Sequence, residues 1–392
     1  MSVDEQAVAE DLRARVRALL DEHDPVSSDP HDFLGARFDA GLAWVHFPLG
    51  SGGLDLSRSF QSQVEEELTA AGAPPGGGGG RNGIGMGMAA PTIAAFGSAD
   101  QQRKFLRPLF TGEHVYCQLF SEPGAGSDLA GVATRAVRNG DDWIVNGQKV
   151  WTSSAQNAQR AILVARTDPA VPKHQGLTYF VCDMTDPGVD VRPLRQITGE
   201  AEFNEVFLTD VRISSDQVVG PVNGGWRVTH STLQSERSLI GGGAGVRFED
   251  LRALAQATGT SNDPVHRQEL ARAYTRFELL RFLGLRVQTA LSHGVPPGSE
   301  SSVMKLSYSE HIAALSDLAL SLEGASGMLG TDDAPDGGYW QQQFLSQWTV
   351  RIGGGTDQVQ RNIIGERVLG LPREPDPGRD QPFRTPADEA VA

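Results

Sequence analysis

The middle third of the chain reads as a series of short strands, whereas helical patterns precede and follow it. Turn residues separate the strand-like runs, which lie at residues 161–166, 177–182, 189–194 and 202–212. Asn146-Gly147 stands between two further runs and favours a type I′ turn, so we predict a hairpin over residues 143–152. Short strands at this density are typical of a small barrel or sandwich.

Apolar residues at helical spacing dominate the rest of the chain. The first predicted helix carries a stripe at three- and four-residue spacing, formed by Val8, Leu12, Val16 and Leu19. Further helices are predicted at residues 61–71, 99–110, 270–291 and 302–322. At 392 residues the chain exceeds what one hydrophobic core usually serves. We therefore predict an α+β multidomain protein, with a helical N-terminal domain at 1–116, a middle β-barrel domain at 117–221, a C-terminal helical bundle at 222–371 and a flexible tail at 372–392.

A glycine run follows Pro74-Pro75 and is predicted to be a loop over residues 76–80. It contains a formal GxGxxG pattern at Gly78, Gly80 and Gly83. A dinucleotide-binding fingerprint needs a strand before these glycines and a helix after them, but prolines stand in front of this pattern. We therefore reject a Rossmann interpretation.

Composition excludes several classes of partner. The formal net charge of −15 argues against nucleic acid or an anionic membrane surface. No apolar run approaches the ~20 residues that a membrane helix needs, and the acidic N-terminus does not follow the plan of a secretion signal. Cys117 and Cys182 lie far apart in the sequence and form neither a disulfide nor a metal pattern. We expect a cytoplasmic protein with no metal centre and no membrane insertion.

Two separated motifs carry a family resemblance. Residues 118–128 read QLFSEPGAGSD and residues 151–153 read WTS. Together they resemble the middle domain of the acyl-CoA dehydrogenase family, and the segment 354–372 resembles the family's C-terminal signature. The resemblance covers nearly the whole chain in the same order, helical, β and helical, and implies a four-helix bundle at the C-terminus.

The resemblance implies that the chain binds FAD and oxidises an acyl-CoA. A flavin ring needs hydroxyl and N–H donors along its polar edge and an aromatic wall beside it, and residues of these two motifs offer them. The implied flavin-binding residues are Gln118, Phe120, Ser121, Gly126, Ser127, Trp151, Thr152 and Ser153, and Thr356 and Gln358 match positions that contact a neighbouring subunit's flavin. Ser127 also matches a position that reaches the flavin pyrophosphate or the pantetheine arm of the substrate. Taken from the residues alone, SEPGAGSD could equally be a tight turn and Trp151 a core aromatic.

The general base departs from the commonest pattern of the family. Many members place a glutamate where this chain has Gly354, which cannot accept a proton. The stretch SERSLIGGG at residues 235–243 resembles that of isovaleryl-CoA dehydrogenases, whose base lies on the first C-terminal helix, and this makes Glu236 the implied base. Gly354 would then donate its N–H to the thioester carbonyl, and Arg237 would have a structural or ligand-orienting role. The alternative for Glu236 is a surface carboxylate paired with an arginine.

A second departure concerns the subunit partner. The family's R-x-x-F-G stretch, which reaches a neighbour's flavin, is missing from the equivalent region at residues 251–262. The leading hypothesis is an FAD-dependent acyl-CoA dehydrogenase that self-associates as a dimer or tetramer and passes electrons to an electron-transfer flavoprotein. One alternative is a non-catalytic or half-site subunit that needs a homologous partner subunit, as in heterotetrameric members of the family. Another is a flavin oxidase or monooxygenase on the same fold.

Overall fold

The computed structural model describes residues 3–241, 246–292, 298, 300–330 and 333–383. These residues form two compact units. The first holds residues up to 195, residues 201–235 and the chain from 376 onwards, and the second holds residues 196–200 and 236–375. The helical N-terminal part and the β part therefore share one unit, and the boundary with the second unit falls between Ser235 and Glu236.

Within residues 3–111, six α-helices precede the strands. They are α1 (Val3–Glu22), α2 (Pro30–Asp39), α3 (Gln61–Ala70), the single turn α4 (Gly76–Gly79), α5 (Ala90–Phe96) and α6 (Ala99–Thr111). The predicted helices are confirmed, and their ends have local causes. Helix α6 begins at a capping box between Ser98 and Gln101, and it ends at Gly112, which takes the left-handed conformation with φ 82°.

The glycine run at 76–80 is not a plain loop, because its first residues form the turn α4. Gly77, Gly78, Gly79 and Gly80 all have positive φ, which residues with a Cβ rarely adopt. The run follows helix α3 with no strand between them in this described stretch, so its GxGxxG spacing has no Rossmann context.

The middle part forms one seven-stranded sheet. Its strands are β1 (Tyr116–Leu119), β2 (Arg135–Asn139), β3 (Asp142–Ser153), β4 (Arg160–Arg166), β5 (Leu177–Asp183), β6 (Val189–Pro193) and β7 (Phe203–Ser214). They are ordered β1-β4-β2-β3-β7-β6, with β5 paired to β4. The strands predicted at 161–166, 177–182, 189–194 and 202–212 are confirmed. The sheet does not close on itself, so the predicted barrel is a half-barrel.

The predicted hairpin turn at Asn146-Gly147 is wrong. Strand β3 continues through these residues, and the turn instead lies before it, at Gly140, where φ is 63°. The register of β3 against β7 shifts between Val145 and Gly147. A Cβ at Gly147 would lie 2.3 Å from the Thr134 hydroxyl oxygen, so this glycine serves close packing and not a turn.

Cys117 and Cys182 are distant in sequence but lie close together in the first unit. Both thiols are free and buried, and both residues pair in register with Ala161 on the central strand β4. They are thus two strand spacings apart, about 9–10 Å, which exceeds the Cα separation of a disulfide.

The second unit is helical. Helix α7 (Gly225–Gly241) crosses the boundary, and α8 (Phe248–Ala257), α9 (Pro264–Ser292), α10 (Glu300–Glu323), α11 (Tyr339–Ile352) and α12 (Asp357–Ile363) follow. Its buried apolar core includes Leu251, Leu254, Leu315, Leu318, Leu322 and Trp340. Among the described residues, no helix combines the length and the apolar character that crossing a membrane requires.

The tail predicted to be flexible at 372–392 makes contacts with the first unit where it is described. Phe383 donates its N–H to the Val171 carbonyl at 2.9 Å, and Pro382 bridges to Pro172. The Phe383 ring lies 3.8 Å from the buried guanidinium of Arg166. Residues 384–392 lie outside the described part of the chain.

Candidate active site

Ser121 and the end of strand β3 meet in the first unit. The Val150 N–H donates to the Ser121 carbonyl at 2.9 Å, which joins the predicted loop to the strand just before Trp151. The loop also closes on itself, because Glu122 and Ala125 exchange two backbone hydrogen bonds of 3.0 Å. The structure therefore brings the two sequence motifs together.

A buried ion pair anchors this junction. Lys149 Nζ lies 2.8 Å from Glu122 Oε1 and also donates to the carbonyls of Phe120 and Val164, at 2.9 and 2.8 Å. Glu122 accepts further hydrogen bonds from two backbone N–H groups of residues 133 and 134, at 2.7 and 2.9 Å. This pair was not predicted from the sequence, although Lys149, a charged residue two positions before Trp151 on a predicted strand, was a signal for it.

Burial and mutual attraction oppose each other in this pair. Burial alone would raise the pKa of Glu122, but the Lys149 ammonium and the N–H donors outweigh it and hold that pKa below its ordinary value. Burial lowers the pKa of Lys149, and the attraction of Glu122 opposes this shift. The two charges stabilise each other and tie the loop to the sheet.

Trp151 has an unusual backbone conformation. Its φ is 62°, in the left-handed region that a bulky residue seldom enters, and nearby Ser154 has φ 54°. Trp151 is 61% exposed, and its ring lies edge-on to Phe203 with the ring centroids 6.1 Å apart. Such strain clusters at ligand sites. Trp151 is thus not a core aromatic but a flat apolar surface held open to solvent.

The side chains of β3 alternate at this point. Ser153 is partly accessible, as is Ser121, but Thr152 is buried, and its hydroxyl has no hydrogen-bond partner among the described residues. Phe120 is also buried, with its ring edge-on to Tyr179 at 5.9 Å. The Thr152 hydroxyl and the Phe120 ring are therefore buried, whereas Ser121 and Ser153 are partly accessible.

The remaining predicted residues of the first unit are accessible. Gly126 and Ser127 are exposed at the tip of the loop, and Gln118 is partly exposed on β1. Next to Ser127, Asp128 pairs with Lys173 at 2.8 Å, which ties the loop tip to the segment before β5. These residues fit a flavin site, since accessible serine hydroxyls, an exposed glycine and an exposed indole are groups that can contact a flavin.

In the second unit, Gly354 and Gly355 form a turn with φ 64° and 88°. The Gly354 carbonyl accepts from Gln360 Nε2 at 2.9 Å, and the Gly355 carbonyl accepts from Lys305 Nζ at 2.7 Å. Both carbonyls are thereby held, which fixes the orientation of the peptide groups in this turn. Gln360 and Lys305 were not identified from the sequence.

Thr356 follows the turn and caps helix α12 by accepting from the Val359 N–H at 3.1 Å. Gln358 is exposed on the first turn of that helix. Between them Asp357 is buried, and it accepts from Ser309 at 2.5 Å and from Arg351 at 3.2 Å. Thr356 thus has a local structural role, while Gln358 is free to face another molecule.

Glu236 lies on helix α7 and is half-buried. Its charge interacts with that of Lys305, the residue that also holds the Gly355 carbonyl. Burial lowers the pKa of Lys305, and the neighbouring Asp357 and Glu236 oppose this shift. The predicted base and the predicted thioester-binding turn therefore share a neighbour. The side chain of Arg237 lies outside the described part of the structure.

Across the described residues, no group of three or more histidine, cysteine, aspartate or glutamate side chains is placed to hold a metal ion.

The chain matches the N-terminal, middle and C-terminal domains of acyl-CoA dehydrogenase at residues 5–113, 117–211 and 223–369. The chain belongs to the acyl-CoA dehydrogenase family. It is an oxidoreductase that acts on CH–CH groups, in a family that is typically FAD-dependent.

Relatives of this acyl-CoA dehydrogenase share most of its length. It is 41% identical over 341 residues to acyl-CoA dehydrogenase IpdE1 of Mycobacterium tuberculosis, covering 86% of each chain. It is 39% identical over 340 residues to acyl-CoA dehydrogenase FadE34 of the same organism, covering 86% of this chain and 46% of FadE34. The predicted order of helical, β and helical domains is that of the family and is confirmed.

Two heteromeric structures are similar to this chain. The Tcur3481-Tcur3483 steroid ACAD is 28% identical with a TM-score of 0.74, covering 94% of this chain and 98% of that one. The ChsE4-ChsE5 complex from Mycobacterium tuberculosis is 27% identical with a TM-score of 0.69, covering 95% and 99% respectively.

Proposed function

We propose that this acyl-CoA dehydrogenase is FAD-dependent and forms an α,β-double bond in an acyl-CoA thioester. The observation that carries the proposal is the strained, exposed Trp151 beside Ser121 and Ser153. When bound there, FAD supplies the acceptor for the β-hydride at its N5 atom. The protein's own task is then to orient the thioester and to remove the α-proton.

Glu236 is the proposed base. Gly354 has no side chain to take a proton, and Glu236 is a half-buried carboxylate that shares the neighbour Lys305 with the Gly354-Gly355 turn. The Gly354 N–H donates to the thioester carbonyl and stabilises the enolate charge that develops as the α-proton leaves. We expect Glu236→Gln to slow the reaction by about 10²–10⁴-fold, the usual contribution of a positioned base.

The proposed substrate is the CoA thioester of a bulky, steroid-derived acid. This rests on the similarity to the Tcur3481-Tcur3483 steroid ACAD over 94% of the chain. Anaerobic bleaching of the bound flavin by straight-chain, branched and steroid-derived acyl-CoAs tests it, with the enoyl product identified by mass spectrometry. The proposal predicts fastest bleaching with the steroid-derived thioester. Bleaching by straight chains alone would refute the substrate class, and no bleaching by any thioester would refute the activity.

The electron acceptor is proposed to be an electron-transfer flavoprotein. A flavin oxidase or monooxygenase would instead react rapidly with oxygen once reduced. Mixing the reduced enzyme separately with air-saturated buffer and with an electron-transfer flavoprotein distinguishes these functions. Rapid reoxidation by the flavoprotein and slow reoxidation by oxygen support the dehydrogenase.

We further propose that the chain assembles through its second unit, either with copies of itself or with a homologous subunit. Large apolar side chains are exposed on its helices, namely Tyr274, Leu279, Phe282, Leu285, Trp348 and Ile352. Exposed apolar groups of this size favour an interface. The similar ChsE4-ChsE5 complex and the missing R-x-x-F-G stretch favour a homologous partner. Mass and FAD content per chain of the purified protein test this: one FAD per chain in a homotetramer contradicts the heteromer.

A further inference from the structure

Arg166, the last residue of strand β4, joins two segments of the first unit. It is 2% exposed, and its Nη2 donates to the carbonyls of Ala130 and Val132, at 2.6 and 3.1 Å. Its Nη1 donates to the Lys173 carbonyl at 2.7 Å. A planar guanidinium carries its donors in a rigid fork, so it holds several acceptors in a fixed arrangement. One buried side chain therefore connects the residues that follow Ser127 to the segment between β4 and β5.

The two segments also contact each other. We call residues 126–132 the site loop and residues 167–176 the connecting segment. Lys173 Nζ lies 2.8 Å from Asp128 Oδ2, so the connecting segment holds the site loop through an ion pair. The Lys173 carbonyl meanwhile accepts from Arg166, which holds the site loop two residues beyond Asp128. These contacts close a ring, and each of them constrains the loop tip.

The end of the described chain covers Arg166. Residues 376–383, which we call the C-terminal strap, belong to the same compact unit as the sheet. The Phe383 N–H donates to the Val171 carbonyl at 2.9 Å, which pairs the strap with the connecting segment. The Arg166 Cζ atom lies 3.8 Å from the centroid of the Phe383 ring. The strap thus places an aromatic ring against the guanidinium that holds the site loop.

The ring compensates for water that Arg166 has lost. Burial lowers the pKa of Arg166 to about 10, which leaves the group charged at neutral pH. Its buried Nε–H has no hydrogen-bond partner within the described part of the chain. A charge removed from water is costly unless other groups replace its hydration, and an aromatic face attracts a guanidinium most strongly where both are desolvated. Phe383 therefore stabilises the charge that the three carbonyls leave incompletely solvated.

We propose that Arg166 is a positioning residue for the site loop and that the C-terminal strap, through Phe383, keeps Arg166 in place. The proposal rests on the proposed function where it assigns Ser127 to the flavin pyrophosphate or the pantetheine arm. Gly126 and Ser127 are exposed at the tip of this loop, so their position depends on the contacts at its base. The strap then governs the affinity for FAD and the CoA thioester and not the rate of the chemical step.

Hydrogen–deuterium exchange of the purified enzyme tests the structural half of the proposal. Phe383→Ala removes the ring and leaves the backbone of the strap unchanged. Loss of a cation–π contact corresponds to about a 2–30-fold change in the equilibrium that it stabilises. We therefore expect amide exchange in the site loop and the connecting segment to become faster by about this factor. Two amides that report on them are those of Gly131 and Gln175, which donate to backbone carbonyls at 2.9 and 2.8 Å. Exchange in strand β7 should not change.

Three variants separate the cation–π contact from simple filling of space. Phe383→Tyr keeps an aromatic face and should keep the parental exchange, whereas Phe383→Leu keeps only apolar bulk and should behave like Phe383→Ala. Phe207→Leu is the matched control, because the Phe207 ring lies 4.5 Å from the exposed guanidinium of Arg192 in the same unit. It should leave both segments at the parental exchange rate. If Phe383→Leu keeps the parental exchange as well as Phe383→Tyr does, the ring only fills space and the proposal is overturned.

Ligand affinity tests the functional half. In Phe383→Ala, the Kd for FAD and the KM for an acyl-CoA that bleaches the parent should both rise by about 2–30-fold. The kcat at saturating FAD and substrate should stay near the parental value, because Glu236 and Gly354 lie outside the site loop. Arg166→Met should change both affinities in the same direction and by more. Should Arg166→Met not fold, the comparison of Phe383→Ala with Phe383→Tyr decides the matter alone.

The outcomes distinguish this proposal from the proposed function. Parental exchange of both segments in Phe383→Ala overturns the role of the strap, whatever the enzyme oxidises. Faster exchange with parental Kd and KM refutes the step from the site loop to the ligands, and with it the assignment of Ser127. If no thioester bleaches the parent, the proposed activity fails, while amide exchange and the Kd for FAD still decide whether the strap positions the site loop.

Discussion

Replacing Lys149 by methionine should loosen the loop that carries Ser121 and Ser127. Methionine fills a similar volume but leaves Glu122 buried, 9% exposed, without its counter-ion. Breaking a buried ion pair from one side costs about 3–5 kcal/mol, and the carbonyls of Phe120 and Val164 also lose a donor. A folded domain is stable by only about 5–15 kcal/mol, so the cost is a large fraction of the total.

The double variant Glu122→Gln, Lys149→Met is the matched control. Removing both charges avoids a lone buried carboxylate, so its destabilisation should be smaller than that of Lys149→Met alone. Urea unfolding followed by near-ultraviolet circular dichroism measures both. With a slope of about 2 kcal/mol per molar urea, the single variant should lower the midpoint by about 2 M. A midpoint change below about 0.5 M, or a double variant less stable than the single, would refute the argument.

Burial of His311 lowers its pKa to about 4, below the unfolded value of about 6.5. The contribution of the neutral imidazole to stability is therefore complete above pH 6.5 and is lost as the pH falls towards 4, with a loss of about 2 kcal/mol at pH 5. The urea midpoints of His311→Leu should lack this pH dependence. Ser153→Ala should change the flavin absorption spectrum, whereas Thr152→Val should not, because the Thr152 hydroxyl is buried; equal changes would contradict the assigned faces of β3. Gly354 has φ 64°, so Gly354→Ala strains the backbone by about 1–2 kcal/mol. The variant should have a kcat at least tenfold lower. A parental kcat would exclude a role for this turn.

The sequence predicted the helices and strands well because their apolar periodicity reflects burial directly. The hairpin failed for a specific reason: Asn146-Gly147 is a turn signal in isolation, but Gly147 is needed where Thr134 approaches the strand. Tertiary packing that no local pattern encodes made the difference. Alternation along β3, which buries Thr152 and exposes Trp151, likewise depends on a register shift between Lys149 and Thr152.

The candidate site was predictable only in its motif residues. Ser121, Trp151 and Ser153 are predicted because they stand in recognisable stretches. The buried lysines could not be predicted in this way, because Lys149 contacts Glu122, 27 residues away in sequence, and Lys305 contacts the Gly355 carbonyl, 50 residues away. A buried lysine looks like any surface lysine until the fold shows which carboxylate and carbonyls surround it.

Single-turnover flavin reduction tests the central claim most directly. The parent, Glu236→Gln and the surface control Glu278→Gln are mixed anaerobically with a saturating acyl-CoA that bleaches the parent, and the loss of flavin absorbance is followed by stopped flow. Because Glu236→Gln lacks the base, we expect its rate of flavin reduction to be about 10²–10⁴-fold lower, with FAD content and substrate binding retained. Glu278→Gln should keep the parental rate, because Glu278 pairs with Arg281 on the surface of α9. A parental rate in Glu236→Gln would contradict the account.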